Sequence, residues 1–250
     1  MQKAREPGSP AFPAQSRTIL RPRDAATLVI IDHARRSPRI LMGRRRPDQV
    51  FLPDTFVFPG GRVEAADRSL ARRHALPATE AEYVKALMRG RPTDLRAAAL
   101  ALAAIRETFE ETGFIVGTPL GSVPQAASGG WSGFLAAGFQ PSLSGLSFLA
   151  RAITPPGPPR RYDTRFFMVD AAEIGHRADG LDGELLDIDW FTIEAARKLK
   201  LPSITRCVLD DISARLNQER SRKAADAVPF YFHRHGRFER ALLPRSVCPA

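Results

Sequence analysis

Cysteine is nearly absent. Only Cys207 and Cys248 occur, 41 residues apart and with no His or Cys nearby at metal-ligand spacing, which excludes a disulfide framework and a zinc site. No apolar run approaches the roughly 20 residues that span a bilayer. The N-terminus has no apolar stretch of the kind that marks a secretory signal, and Cys248-Pro249-Ala250 is not a peroxisomal address. Together these absences predict a soluble, cytoplasmic protein in a reducing compartment, without a membrane partner. Lysine is scarce as well: 5 of the 37 basic residues are Lys, so the net charge of +10 is almost wholly arginine. Arginine suits bidentate phosphate recognition, yet a proteome-wide arginine preference produces the same count. What is present is ordinary for a folded chain. With 44% hydrophobic and 26% charged residues over 250 positions, one large domain has ample core, and wholesale disorder, collagen repeats and coiled coils are excluded.

Residues 1–17 carry Pro7, Pro10 and Pro13 among Ser, Gly and scattered charge, and read as a loose arm. The main domain is expected over 18–220, with a C-terminal extension over 221–250. Ala26 to Asp32 and Arg39 to Gly43 are short, apolar and separated by a polar turn, which predicts a hairpin. Phe56-Val57-Phe58 runs into Pro59-Gly60-Gly61, where a strand must stop. Residues 68–97 are polar, Arg-rich and broken by Pro77, Gly90 and Pro92, and read as an insertion of one or two short surface helices, one near Glu80 to Met88. Thr93 is a helix cap, Ala97 to Thr112 a long helix, and Gly113 its stop. Strands are expected at Phe114 to Val116, Ser147 to Ile153, Thr164 to Val169 and Asp187 to Thr192, and helices at Ile193 to Leu199 and Leu201 to Asn217. His233 and His235 fall in a C-terminal hairpin, and Trp131, Phe139 and Phe148 in the core. No internal repeat is visible.

Chemistry concentrates in the long helix, at Arg106-Glu107-Thr108-Phe109-Glu110-Glu111-Thr112-Gly113-Phe114. Glu107, Glu110 and Glu111 share an arc of about 100° over one turn. Such a triplet is either a well-solvated face or a site for hard divalent cations such as Mg²⁺. Leu102, Ile105 and Phe109 lie opposite, suited to packing on a sheet.

With Phe58-Pro59-Gly60-Gly61-Arg62-Val63-Glu64 and Asp67 upstream, this segment resembles the two halves of the Nudix box of Nudix hydrolases. Gly61 matches the first glycine; Arg106, Glu107, Glu110, Glu111, Gly113 and Phe114 match the second half. Asp67 stands where the family has Glu, one methylene longer, so its reach to Arg106 is open. Thr108 takes an apolar place, and 38 residues separate Asp67 from Arg106, 31 more than the seven of the family pattern. The interrupted box and the run Arg161-Tyr162-Asp163-Thr164-Arg165-Phe166-Phe167 are similar to the peroxisomal-type coenzyme A diphosphatases.

The resemblance implies an α/β/α sandwich with a mixed central sheet, a helical insertion in the box and a helical C-terminal extension. It implies Mg²⁺ or Mn²⁺ held by Glu107, Glu110, Glu111 and the Gly60 carbonyl, with Arg106 orienting a neighbouring Glu and Asp67 buttressing the loop. The general base is either Glu107 or Glu184, the latter a few residues before Trp190-Phe191. The implied reaction is hydrolysis of a diphosphate bond, in coenzyme A or its acyl esters first, in ADP-ribose, NADH or another dinucleotide second. A catalytically silent module binding a ligand or RNA is the third alternative, disfavoured because the carboxylates are present. Arg44, Arg160, Arg161 and Arg165 are either substrate-phosphate ligands or surface arginines, Arg165 also being placed to pair with Asp163. Nudix proteins of this size are often homodimers.

Overall fold

The computed structural model describes residues 20–121, 129–178, 183–220 and 227–243. The arm predicted at 1–17, Cys248, and residues 221–226 and 244–250 of the predicted extension lie outside the described residues. Strands β1 (Arg23–Asp32) and β2 (Arg39–Arg45) pair antiparallel with Ile31 opposite Ile40, the expected hairpin. The short strands β3 (Phe56–Val57) and β4 (Gly60–Arg62) pair with β2 and β1. Three helices follow, α1 (Ala65–Leu70), α2 (Ala78–Lys85) and α3 (Asp94–Thr112). Next come β5 (Phe114–Pro119), α4 (Ser132–Ala136), β6 (Phe139–Pro141), β7 (Ser147–Ile153), β8 (Tyr162–Asp170) and β9 (Ile174–Arg177). The described chain closes with β10 (Leu185–Thr192), α5 (Ile193–Arg197), α6 (Ser203–Arg220), β11 (Val228–Arg234) and β12 (Arg237–Leu243).

The main sheet runs β10-β2-β1-β8-β7-β11-β12, and β6-β5-β9 form a smaller one. β1 and β8 pair in parallel from Arg23 opposite Tyr162 to Ile31 opposite Asp170, so the sheet is mixed. Because side chains alternate along a strand, β1 serves two cores. Ala26, Leu28 and Ile30 join α3 on one face, while Val29 and Ile31 join Val208, Leu209 and Ile212 of α6 on the other. This is the α/β/α sandwich expected. A run of alanines from Ala97 to Ala104, broken by Leu100 and Leu102 and nearly without exposed surface, lets α3 lie close to the sheet.

The insertion departs from expectation. It is not a surface appendage: Leu76, Ala81, Val84 and Met88 are buried in the α3 core. The Glu80 carboxylate accepts from the Phe148 N–H at 2.6 Å, and the carbonyls of Ala86 and Leu87, past the end of α2, accept from the buried Arg151. Its polar composition hid the few apolar residues that face inward. Nor are the described residues of the C-terminal extension helical. Its described part is a hairpin in which Val228, Phe230 and Leu243 bury one face, and β11 adds to β7 in parallel. The turn at His235-Gly236 has φ of 49° and 75°, the left-handed pair a two-residue hairpin requires. Trp131, Phe148 and Phe134 are core residues, and Phe139 packs against them. Among the described residues no helix is long and apolar enough to cross a membrane.

Candidate active site

Helix α3 begins where Thr93 accepts from the Arg96 N–H and ends where Gly113 adopts φ 77°. A side chain at Gly113 would be strained at that φ and would press on the Ala178 carbonyl, so the stop is a glycine for two reasons. These ends place the last two turns of α3 against the Gly60-Gly61 strand. The N–H of Gly60 donates to Glu111 Oε2 at 2.9 Å. Gly61 faces the Glu107 carboxylate, which any Cβ would overlap. The glycines are therefore needed for the close approach of a strand to two carboxylates.

Arg106 joins the two halves. Its Nε and Nη2 donate to Asp67 Oδ1 and Oδ2 at 2.9 and 3.1 Å, its Nη2 also to the Arg62 carbonyl at 2.9 Å, and its Nη1 to Glu110 Oε2 at 2.7 Å. Glu107 Oε1 lies 3.0 Å from Nη2. Asp67, with no exposed surface, further accepts from Trp131 Nε1 at 3.0 Å and from the Glu64 N–H at 2.8 Å. The shorter Asp thus reaches Arg106 because α1 brings its backbone in. Thr108, in the apolar place of the pattern, is buried and donates to the Ala104 carbonyl at 2.8 Å, so its hydroxyl is not left unpaired.

The electrostatics are uneven. Burial opposes the charge of Arg106, but Asp67, Glu107 and Glu110 more than offset it and raise its pKa. Burial pushes Glu107 up to about 7, against the pull of Arg106. It pushes Glu111 up to about 8, against the Gly60 hydrogen bond, with the Glu107 and Glu184 charges adding to the rise. Glu110 is also raised by burial. One guanidinium cannot compensate four carboxylates, so this end of α3 is short of positive charge. Among the described residues no three carboxylates yet converge on one point as metal ligands, because Arg106 holds Glu107 and Glu110 and the Gly60 N–H holds Glu111. The donor chemistry nevertheless fits a hard divalent cation: oxygen ligands on one helical turn, with burial favouring any cation that neutralises them.

Glu184 stands beside this end of the helix. Gly183 lies so close to the Glu111 carbonyl that a Cβ would overlap it, and Gln49 Nε2 donates to Glu184 Oε2 at 3.0 Å. Arg45, bonded to the Phe51 carbonyl at 3.0 Å, is near enough for its charge to act on Glu111.

No family model matches the chain. A stretch of 134 residues is 34% identical to the acyl-coenzyme A diphosphatase NUDT19 of Gallus gallus, covering 43% of this chain and 35% of that protein; the match spans only about a third of the curated relative. The crystal structure of a Nudix hydrolase from Alicyclobacillus acidocaldarius is 29% identical, covers 77% of this chain and 91% of that chain, and superposes with a TM-score of 0.58. The chain is thus similar to Nudix hydrolases in both fold and sequence.

At this end of α3 the structure brings together Gly60, Gly61, Asp67, Arg106, Glu107, Glu110, Glu111 and Glu184. It does not bring the four chosen arginines to them as free cations. Arg165 has no exposed surface and pairs with Asp163, which rules out ligand contact in this structure, because β8 is covered on both faces. Arg161 is a brace, donating to the Thr154 and Leu20 carbonyls at 3.0 and 2.7 Å. Arg44 is held between Asp187 and Asp54 at 2.7 and 3.0 Å; Arg160 is exposed on the turn before β8. Sequence reasoning missed the roles of Trp131 and Gln49. Their partners are 64 and 135 residues away, and no local pattern signals such contacts.

Proposed function

We propose that the chain is a metal-dependent hydrolase of a diphosphate bond in a nucleoside diphosphate derivative, with coenzyme A or its acyl esters as substrate, giving 4′-phosphopantetheine or its acyl form and adenosine 3′,5′-bisphosphate. The observation that carries this is the buried, under-compensated carboxylate cluster of Glu107 and Glu111 set directly on the Gly60-Gly61 strand. A divalent cation, if bound there, would supply charge to neutralise the substrate diphosphate and would lower the pKa of a bound water. Glu107, Glu110, Glu111 and the Gly60 carbonyl are the groups to hold it. Arg106 positions Glu107 and Glu110, and Asp67 and Trp131 fix Arg106. Glu107 or Glu184 takes the proton of the attacking water at a carboxylate oxygen. The likeness to the acyl-coenzyme A diphosphatase NUDT19 of Gallus gallus supports the coenzyme A reading.

The test is to incubate the purified protein with Mg²⁺ or Mn²⁺ and coenzyme A, acetyl-coenzyme A, ADP-ribose and NADH, and to resolve the products by chromatography. Adenosine 3′,5′-bisphosphate from the first two is the expected outcome. Turnover of ADP-ribose or NADH with coenzyme A inert rejects the coenzyme A reading.

A further inference from the structure

Next to the catalytic strand lies an open cleft of about 480 Å³ lined by Arg23, Asp24, Arg62, Glu64 and Arg68. Its charges are not balanced against one another. Asp24 is taken by Arg96 at 2.9 Å, and the Glu64 side chain caps the first turn of α1. By contrast, Arg23, Arg62 and Arg68 are exposed, and among the described residues none of their guanidinium groups has a hydrogen-bonding or ion-pair partner. Three free guanidinium groups in one concavity are matched to a doubly charged phosphate monoester, which can accept bidentate hydrogen bonds from each.

The bases of these side chains are held firmly. Val63 donates its N–H to the Asp24 carbonyl at 3.1 Å, the Arg62 carbonyl accepts from Arg106, and Asp67, one residue before Arg68, is locked to Arg106 and Trp131. The same segment joins the cleft to the carboxylate cluster: Arg62 follows Gly61 directly, and the Glu64 charge acts on Glu110. A ligand seated here is therefore adjacent to the reacting diphosphate without replacing it.

We infer that Arg23, Arg62 and Arg68 form a subsite for a phosphate monoester carried by the substrate away from the scissile bond. This rests on the proposed diphosphatase reading and gives it a specificity device, since it selects a nucleotide with an additional phosphate over one without. The free arginines of this cleft take the place of Arg161 and Arg165, which the fold employs elsewhere.

The test compares coenzyme A with dephospho-coenzyme A, which differ only in the 3′-phosphate, for the wild type and for R23A/R68A in the presence of Mg²⁺. The ratio of kcat/KM for the two substrates should favour coenzyme A in the wild type and fall by about tenfold or more in the variant. A ratio unchanged by the substitutions overturns the inference. A second arm needs no turnover: calorimetric titration with adenosine 3′,5′-bisphosphate and with adenosine 5′-monophosphate. Tighter binding of the bisphosphate that is lost in the variant supports the subsite, even if coenzyme A proves inert and the activity reading fails; equal affinities overturn it. Inorganic phosphate that alters dephospho-coenzyme A turnover in the wild type but not in the variant would assign the cleft to free phosphate and overturn the substrate role.

Discussion

Two arginine clusters are buried in this protein, and they differ in the balance of their charges. At the end of α3, Arg106 is surrounded by Asp67, Glu107 and Glu110, with Glu111 beside them. Between β7 and β8 the count is reversed: Asp163 is shared by Arg151 at 2.8 Å and Arg165 at 2.6 Å. Arg151 is further satisfied by the Ala86 and Leu87 carbonyls and lies over the Phe230 ring, while Nε and Nη2 of Arg165 have no partner among the described residues. The first cluster has more carboxylates than its guanidinium can offset, and the second has unused donors sealed in the core. Burial of an arginine does not mark function; what marks it is which charge is left over and whether a ligand can reach it.

The sharpest way to break this contrast is to remove the leftover acceptor. Glu111→Gln should lower metal-dependent turnover on the order of a thousandfold, since a divalent cation contributes several kcal/mol to the transition state. Circular dichroism should show an intact fold, and Glu110→Gln should behave alike. Near-wild-type rates in both would remove the carboxylates from the mechanism. Asp163→Asn should do the opposite, costing about 3–5 kcal/mol because two buried guanidinium groups lose their counter-charge. Urea denaturation measures it, and the rate per folded molecule should stay close to wild type.

Gly61→Ala should fall between the two, with a rate loss of about a hundredfold and a small stability change, because the new methyl displaces the Glu107 carboxylate. Single-turnover kinetics beside thermal melts separate the two effects. The smallest effect is in pH linkage, where the clusters should diverge in sign. Glu107 and Glu111 are raised by burial to about 7 and about 8, so the folded state holds their protons more tightly than the unfolded chain. Stability of the metal-free protein should therefore be full near pH 4 and decline as pH rises through 7 to 8. Mg²⁺ at a hundredfold excess over its Kd should raise Tm at pH 8 by about 5 °C or more, and much less at pH 5. Burial favours neutral Asp163, but the Arg151 hydrogen bonds and the Arg165 charge hold its pKa low. Its contribution is present at neutral pH and lost only in acid. A cation-independent melting profile across this range would contradict the assignment of the first cluster.

Much of the fold was legible along the chain. The β1–β2 hairpin, α3 with its Thr93 and Gly113 ends, the β7–β8 pair and α6 are each set by a local pattern: apolar alternation, a cap, a glycine stop or a helical stripe. The short strands β4, β6 and β9 have three or four residues, too few for periodicity, and exist because a neighbour offers an edge. The insertion was misread for a similar reason. A polar, Arg-rich composition describes its outer face, whereas Val84 and Met88 are too few to stand out.

The chain itself determined which groups can do chemistry. Three carboxylates at one helical turn, and two glycines that allow a strand to approach them, follow from residue order and helix geometry alone. The tertiary structure decided which charges are free to act. Asp67 and Arg106 are 39 residues apart, and only α1 and the folded-in insertion make them one network. Arg161 and Arg165 are indistinguishable by type from Arg62 and Arg68, yet the fold ties the first two to a carbonyl pair and a buried aspartate and leaves the second two open at the catalytic strand. An arginine's role is set by what partner it finds, and partners are a property of the folded chain.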